Sequence, residues 1–99
     1  MFADISIKQA ETILANNFEV RLIDVRTAEE YRQGRIAGSI NIPLSRLGDI
    51  RKLIPNKNTA ILVYCKSGGR SAQAKKTLLS MGYQEVKNIG GIRGWKLIN

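Results

Sequence analysis

Ala60-Ile-Leu-Val-Tyr-Cys-Lys-Ser-Gly-Gly-Arg-Ser71 is the stretch on which the fold turns. Residues 60–64 form an unbroken apolar run, the pattern of a strand buried on both faces. From about Arg70 to Met81 the spacing becomes helical, and Gly82 ends it. Only a short glycine-rich turn lies between. A buried strand that passes through such a turn into a helix is half of a βα unit.

Working outward, the same alternation repeats. Ser6 with Gln9 fits a capping box for a helix over about 7–16, with Ile7, Ala10, Ile13 and Leu14 on one face. Residues 4–5 could start a short strand, and Val20 to Val25 reads as a buried one. Thr27 with Glu30 is a second capping box, opening a short helix that stops at Gly34. Ser39-Ile-Asn-Ile reads as a strand ended by Pro43. Leu44, Leu47, Ile50 and Ile54 suggest a helix that stops before Pro55. Glu85 to Ile89 is the last strand, followed by Gly90-Gly91 and a helical turn around Trp95. The expectation is one α/β domain over residues 1–99, with a mainly parallel central sheet of about five strands and helices on both faces.

Composition bounds the chemistry. With 99 residues there is enough chain for one core. One cysteine permits no internal disulfide, and no histidine is present, which excludes every Ser/His, Cys/His or His-metal mechanism built within this chain. No metal site and no cofactor are expected. The net charge of +8 favours anionic partners. The basic residues are nevertheless spread along the chain without aromatic interleaving, so nucleic acid is not expected. No apolar run is long enough to span a membrane. The opening MFADISIKQAE has neither the basic nor the apolar region of a signal peptide, and a free-standing cytoplasmic domain is expected.

Cys65 stands at the carboxyl end of the most apolar strand, where ligand crevices of parallel sheets lie. Gly68 and Gly69 can take positive φ and turn successive N–H groups toward one point, making an anion nest. The helix start adds its unpaired N–H groups and positive dipole end, and Lys66 and Arg70 add two charges. All of these favour thiolate over thiol. Phosphoryl transfer and sulfur transfer both use a cysteine in such a nest. Four residues, Lys-Ser-Gly-Gly, separate Cys65 from Arg70, one fewer than in the protein tyrosine phosphatase pattern. A phosphatase generally needs a general acid as well, and none stands out. The tighter loop suits attack on the outer sulfur of a thiosulfate-like donor.

These residues resemble the rhodanese family of single-domain sulfurtransferases over nearly the whole chain. Leu22-Ile-Asp-Val-Arg26 with Glu30-Tyr31 is similar to the family's first signature. Gly34-Arg-Ile-Ala-Gly-Ser-Ile-Asn-Ile-Pro43 is similar to its Gly-His-Ile-x-Gly-Ala-x-Asn-Ile-Pro. Val63 to Ser71 resembles its active-site loop, and Gly82-Tyr, Gly90-Gly91 and Trp95 resemble its ending. The resemblance implies a rhodanese-like three-layer fold and a Cys65 persulfide cycle, with backbone N–H groups of residues 66–70 stabilising the persulfide. It implies that Lys66, Ser67, Gly68, Gly69 and Arg70 bind a small anionic donor such as thiosulfate, and that cyanide, a thiol or a protein is the acceptor. Two positions depart from the pattern: Arg35 stands where histidine is common and Ala37 where proline is. Neither is a residue the chemistry needs.

Other marked residues have plainer readings. Asp24 and Arg26 are expected to support the site structurally, as a strand-end carboxylate and a paired arginine. Glu30 caps its helix, Ser71 caps the next one, Trp95 covers the core, and Lys75 and Lys76 lie on a solvated helix face. Ser67 is left between loop bonding and capping. The alternatives to an enzyme are a sulfur carrier or a non-catalytic interaction module of the same fold, a small phosphatase or arsenate-reductase-like enzyme, and a nucleic-acid binder.

Overall fold

In the computed structural model, residues 3–99 are described; Met1 and Phe2 lie outside the described residues. Both capping boxes form. Ser6 Oγ accepts the Gln9 N–H and Gln9 Oε1 accepts the Ser6 N–H, starting α1 (Ile7–Asn16). Thr27 and Glu30 make the same exchange at α2 (Ala28–Gln33). In each case a short side chain satisfies N–H groups that a helix start leaves without partners.

The central sheet contains β1 (Arg21–Asp24), β3 (Ile40–Asn41), β4 (Ile61–Cys65) and β5 (Val86–Gly91), all parallel, in the order β3-β1-β4-β5. Successive side chains along β1 and β4 go to opposite faces, and both faces are covered. Ile23, Val25, Ile61, Val63 and Cys65 join a core with Leu47 and Ile50, and with Ala74 and Leu78 of α4 (Gly69–Ser80). Leu22, Leu62 and Tyr64 join a second core with Ala10 of α1, Ile36 and Ile89, against which Trp95 packs. Cys65 therefore belongs to the α4 side of the sheet.

Several expectations are corrected. The parallel sheet has four strands rather than about five, because residues 4–5 form a bend. The Asp4 N–H donates to Asn88 O (2.7 Å), but its carboxylate takes the Asn88 N–H (2.7 Å), so the backbone ladder stops after one bond. The same carboxylate pairs with Lys75 Nζ at 2.7 Å, so Lys75 is ion-paired while partly exposed, and Lys76 beside it is exposed. Residues 44–54 are a 3₁₀ helix (Leu44–Asp49) followed by the single turn α3 (Ile50–Leu53), since Arg46 (φ −123°) breaks the helical path. In place of a helical turn at Trp95 there is one hydrogen-bonded turn, Trp95 N–H to Ile92 O, leading into β6 (Leu97–Ile98). β6 pairs antiparallel with β2 (Arg35–Ile36), a small ribbon that the sequence reading does not contain. No helix of the described residues is long and apolar enough to cross a membrane.

Candidate active site

The site is built where β4 ends. Cys65, its last residue, is paired with Gly91 of β5 and is 1 % exposed. The chain then rises to exposed Lys66 and Ser67, and Ser67 bridges back to Gly91. Gly68 (φ +102°) makes the turn at the N-cap position of α4. That conformation is costly for any residue with a Cβ. Gly69 is the first helical residue and does not take positive φ, so one of the two expected glycine turns is used, not both.

The turn aims donors at sulfur. The Gly68 N–H lies 2.9 Å from Cys65 Sγ. Ser71 is fully buried in the first turn of α4, and its Oγ donates to Sγ at 3.3 Å, with Gly68 O an alternative acceptor at 3.1 Å. The expected helix-capping role of Ser71 is thereby corrected: it sits inside the helix and faces the thiol. Burial alone pushes the thiol pKa up. Hydrogen bonds from the Ser71 hydroxyl, then from the N–H groups of Ser71, Gly68 and Ser67, outweigh it and hold the thiol below its ordinary 9.0. The rate of Cys65 alkylation against pH is accordingly expected to rise with a midpoint below 9.0. Ser71→Ala should move that midpoint upward while circular dichroism stays unchanged; an unmoved midpoint would remove Ser71 from the set that stabilises the thiolate.

The two loop cations differ. Lys66 is exposed and, among the described residues, forms no ion pair. It borders a groove of about 260 Å³ with Arg26, Glu30, Gln33, Gly34, Ile92 and Leu97. Arg70 is engaged: Nη1 lies 2.7 Å from Glu30 Oε1 and Nη2 3.0 Å from Oε2. The Arg70 guanidinium, against the cost of burial and with help from Thr27, holds the Glu30 carboxyl down at about 2. Glu30 thus does more than cap α2, and the sequence offers no local signal for a partner forty positions away.

Asp24 and Arg26 form a buried pair on the neighbouring strand end. Arg26 Nη2 is 2.7 Å from Asp24 Oδ2, and Asp24 Oδ1 also accepts the Arg26 N–H at 2.8 Å. Arg26 Nη2 donates on to Gly34 O, and Asn41 Nδ2 donates to the carbonyls of residues 24 and 26 at 3.0 Å. This ties the ends of β1 and α2 together beside the loop, which is a framework role. Tyr64 does similar work: its hydroxyl donates to Ser39 Oγ (3.0 Å) and accepts the Ile36 N–H (3.1 Å). A larger groove, about 500 Å³, lies at the opposite end of the sheet, among Asn17, Asn56, Thr59 and Glu85. None of its lining residues is a cysteine.

The model of the rhodanese-like domain matches residues 6–98. Thiosulfate sulfurtransferase PspE of Escherichia coli is 46% identical over 72 residues, covering 72% of this chain and 69% of that protein. A sulfurtransferase of Allochromatium vinosum is 35% identical over 96 residues, covering 96% of this chain and 89% of that one. Among solved structures, the rhodanese with anions from E. coli superposes with a TM-score of 0.76 at 40% identity, over 81% of this chain and 98% of that one. With a parallel sheet enclosed by helices and a cysteine loop between β4 and α4, the chain belongs to the rhodanese-like domain family.

Proposed function

We propose that the protein is a sulfurtransferase in which Cys65 carries a sulfane sulfur from thiosulfate, or a related anionic donor, to a nucleophilic acceptor. The observation that carries this reading is the sulfur itself: Cys65 Sγ is held between the Gly68 N–H and the Ser71 hydroxyl at the start of α4. In the first step the thiolate attacks the outer sulfur of thiosulfate. An S–S bond forms, the donor's S–S bond breaks with its electron pair leaving on sulfite, and the enzyme becomes a Cys65 persulfide anion. In the second, cyanide or a thiolate attacks the outer sulfur, leaves as thiocyanate or a new persulfide, and returns the Cys65 thiolate. Charge balances in both steps without any proton transfer. The cradle of N–H groups supplies preorganised stabilisation of the outer sulfur, and the cycle is covalent catalysis of the ping-pong type.

The carboxylates near the loop favour this over phosphate-ester chemistry. Asp24 is buried against Arg26, and Glu30 is ionised and clasped by Arg70. Glu30, held down at about 2, has no proton to give a leaving alkoxide, and sulfite departs without needing one. The test is intact mass after incubation with thiosulfate. The expected result is a gain of one sulfur atom, removed by cyanide with release of thiocyanate. No adduct would leave a binding module of the same fold.

A further inference from the structure

The Arg70–Glu30 pair links α2 to the first turn of α4. Arg70 lies in the first turn of α4, directly before Ser71, while Glu30 lines the same groove as Lys66. The two terminal guanidinium nitrogens face the two carboxylate oxygens, so the arginine's charge is directed at α2 and largely cancelled. Glu30 is itself fixed from behind by the Thr27 N–H, 2.9 Å from Oε1. In contrast, Lys66 stands in the groove without an ion-pair partner among the described residues.

We propose that Glu30 determines donor selectivity by charge: by clasping Arg70 it withholds one of the two loop cations from the incoming anion, so the site favours doubly charged donors less than the loop's own residues would. The inference rests on the sulfur-transfer reading. Its physical content is Coulomb's law. The potential that Glu30 removes from the groove acts on each donor in proportion to the donor's charge. A dianion such as thiosulfate therefore feels twice the effect that a monoanionic thiosulfonate feels, and a change in affinity for the monoanion appears squared for the dianion.

Glu30→Gln separates this role from helix capping. The glutamine Oε1 can keep the Thr27 N–H and Arg70 Nη1, while its NH2 group opposes Arg70 Nη2 and the loss of the carboxylate charge leaves the guanidinium uncancelled. Steady-state rates with thiosulfate and with methanethiosulfonate, cyanide as acceptor, read the effect. In E30Q the KM for methanethiosulfonate is expected to fall about twofold to threefold and that for thiosulfate about fourfold to tenfold. Adding R70M to E30Q should return the selectivity ratio to that of the unaltered protein. In the unaltered background, R70M should raise the thiosulfate KM by about the factor that E30Q lowers it, because it leaves the Glu30 carboxylate uncompensated. An unchanged or equal shift for the two donors in E30Q, or a thiosulfate KM that R70M leaves unmoved, overturns the role of Glu30 while leaving sulfur transfer standing. Absence of turnover with either donor in the unaltered protein overturns the sulfur-transfer reading, and this inference with it.

Discussion

Cys65→Ser is expected to abolish sulfur transfer and leave the fold in place. An alkoxide does not form at this position near neutral pH, and no other cysteine is present to take over. On the proposed mechanism the variant keeps the loop's N–H groups but has no group that breaks the donor's S–S bond. The loss in kcat is expected to exceed about a thousandfold, as when other enzymes lose their nucleophile. Stability should change little. The serine Oγ is smaller than sulfur, and it inherits the Gly68 N–H and the Ser71 hydroxyl as partners, so no buried polar atom is orphaned. Rate assays beside a thermal melt check both halves. Activity retained in the serine variant would remove Cys65 from the mechanism.

Gly91→Ala is the second large effect, and it reaches the loop from behind. A Cβ at Gly91 would lie 2.8 Å from Ser67 Cα and would run into the Lys66 carbonyl. Both obstacles are backbone, so no side chain can swing aside. Gly91 also pairs with Cys65, bridges Ser67, and is followed by Ile92, whose N–H donates to Lys66 O at 3.2 Å. The loop must therefore lift from β5, carrying the Gly68 N–H away from sulfur. A loss of about a hundredfold in kcat/KM is expected, since small displacements of a catalytic group cost that much. The stability cost is expected to be about 1–3 kcal/mol. Gly69→Ala is the control: nothing lies within 4 Å of a Cβ there, so activity within about twofold of the parent is expected. Equal behaviour of the two variants in rate and melting would show that the loop does not lean on β5.

The contrast between these glycines also shows what can be read from sequence. Features decided within a few residues are legible. Ser6 with Gln9 and Thr27 with Glu30 announce their helices because both partners of each exchange lie three apart. The apolar run before Cys65 announces the buried strand, and the strand's end locates the site. Features decided by distant chain are not legible. The β2–β6 ribbon joins two-residue strands about sixty positions apart, too short to carry a periodic pattern. The grip of Glu30 on Arg70 and the support of the loop by Gly91 arise only when α2, α4 and β5 meet. Between these cases lies the 44–54 stretch, where apolar spacing suggests one helix. Gly48 weakens it, Arg46 leaves helical geometry, and only short turns remain. Ser71 is a different kind of miss: a serine near a helix start suggests a cap, and only the placement of the sulfur makes it a donor.

The bend at Asp4 has a consequence for association. β5 is an edge of the sheet, and an edge strand offers its backbone to any extended chain. Asp4 answers one residue of that edge twice, with its N–H on Asn88 O and its carboxylate on the Asn88 N–H. An incoming strand finds this position occupied by a carboxylate, which cannot pass the ladder on, and beside it the charged Lys75 and exposed Lys87. Four hydrogen-bonded atoms and two cations thus act as a stopper against edge-to-edge aggregation along β5.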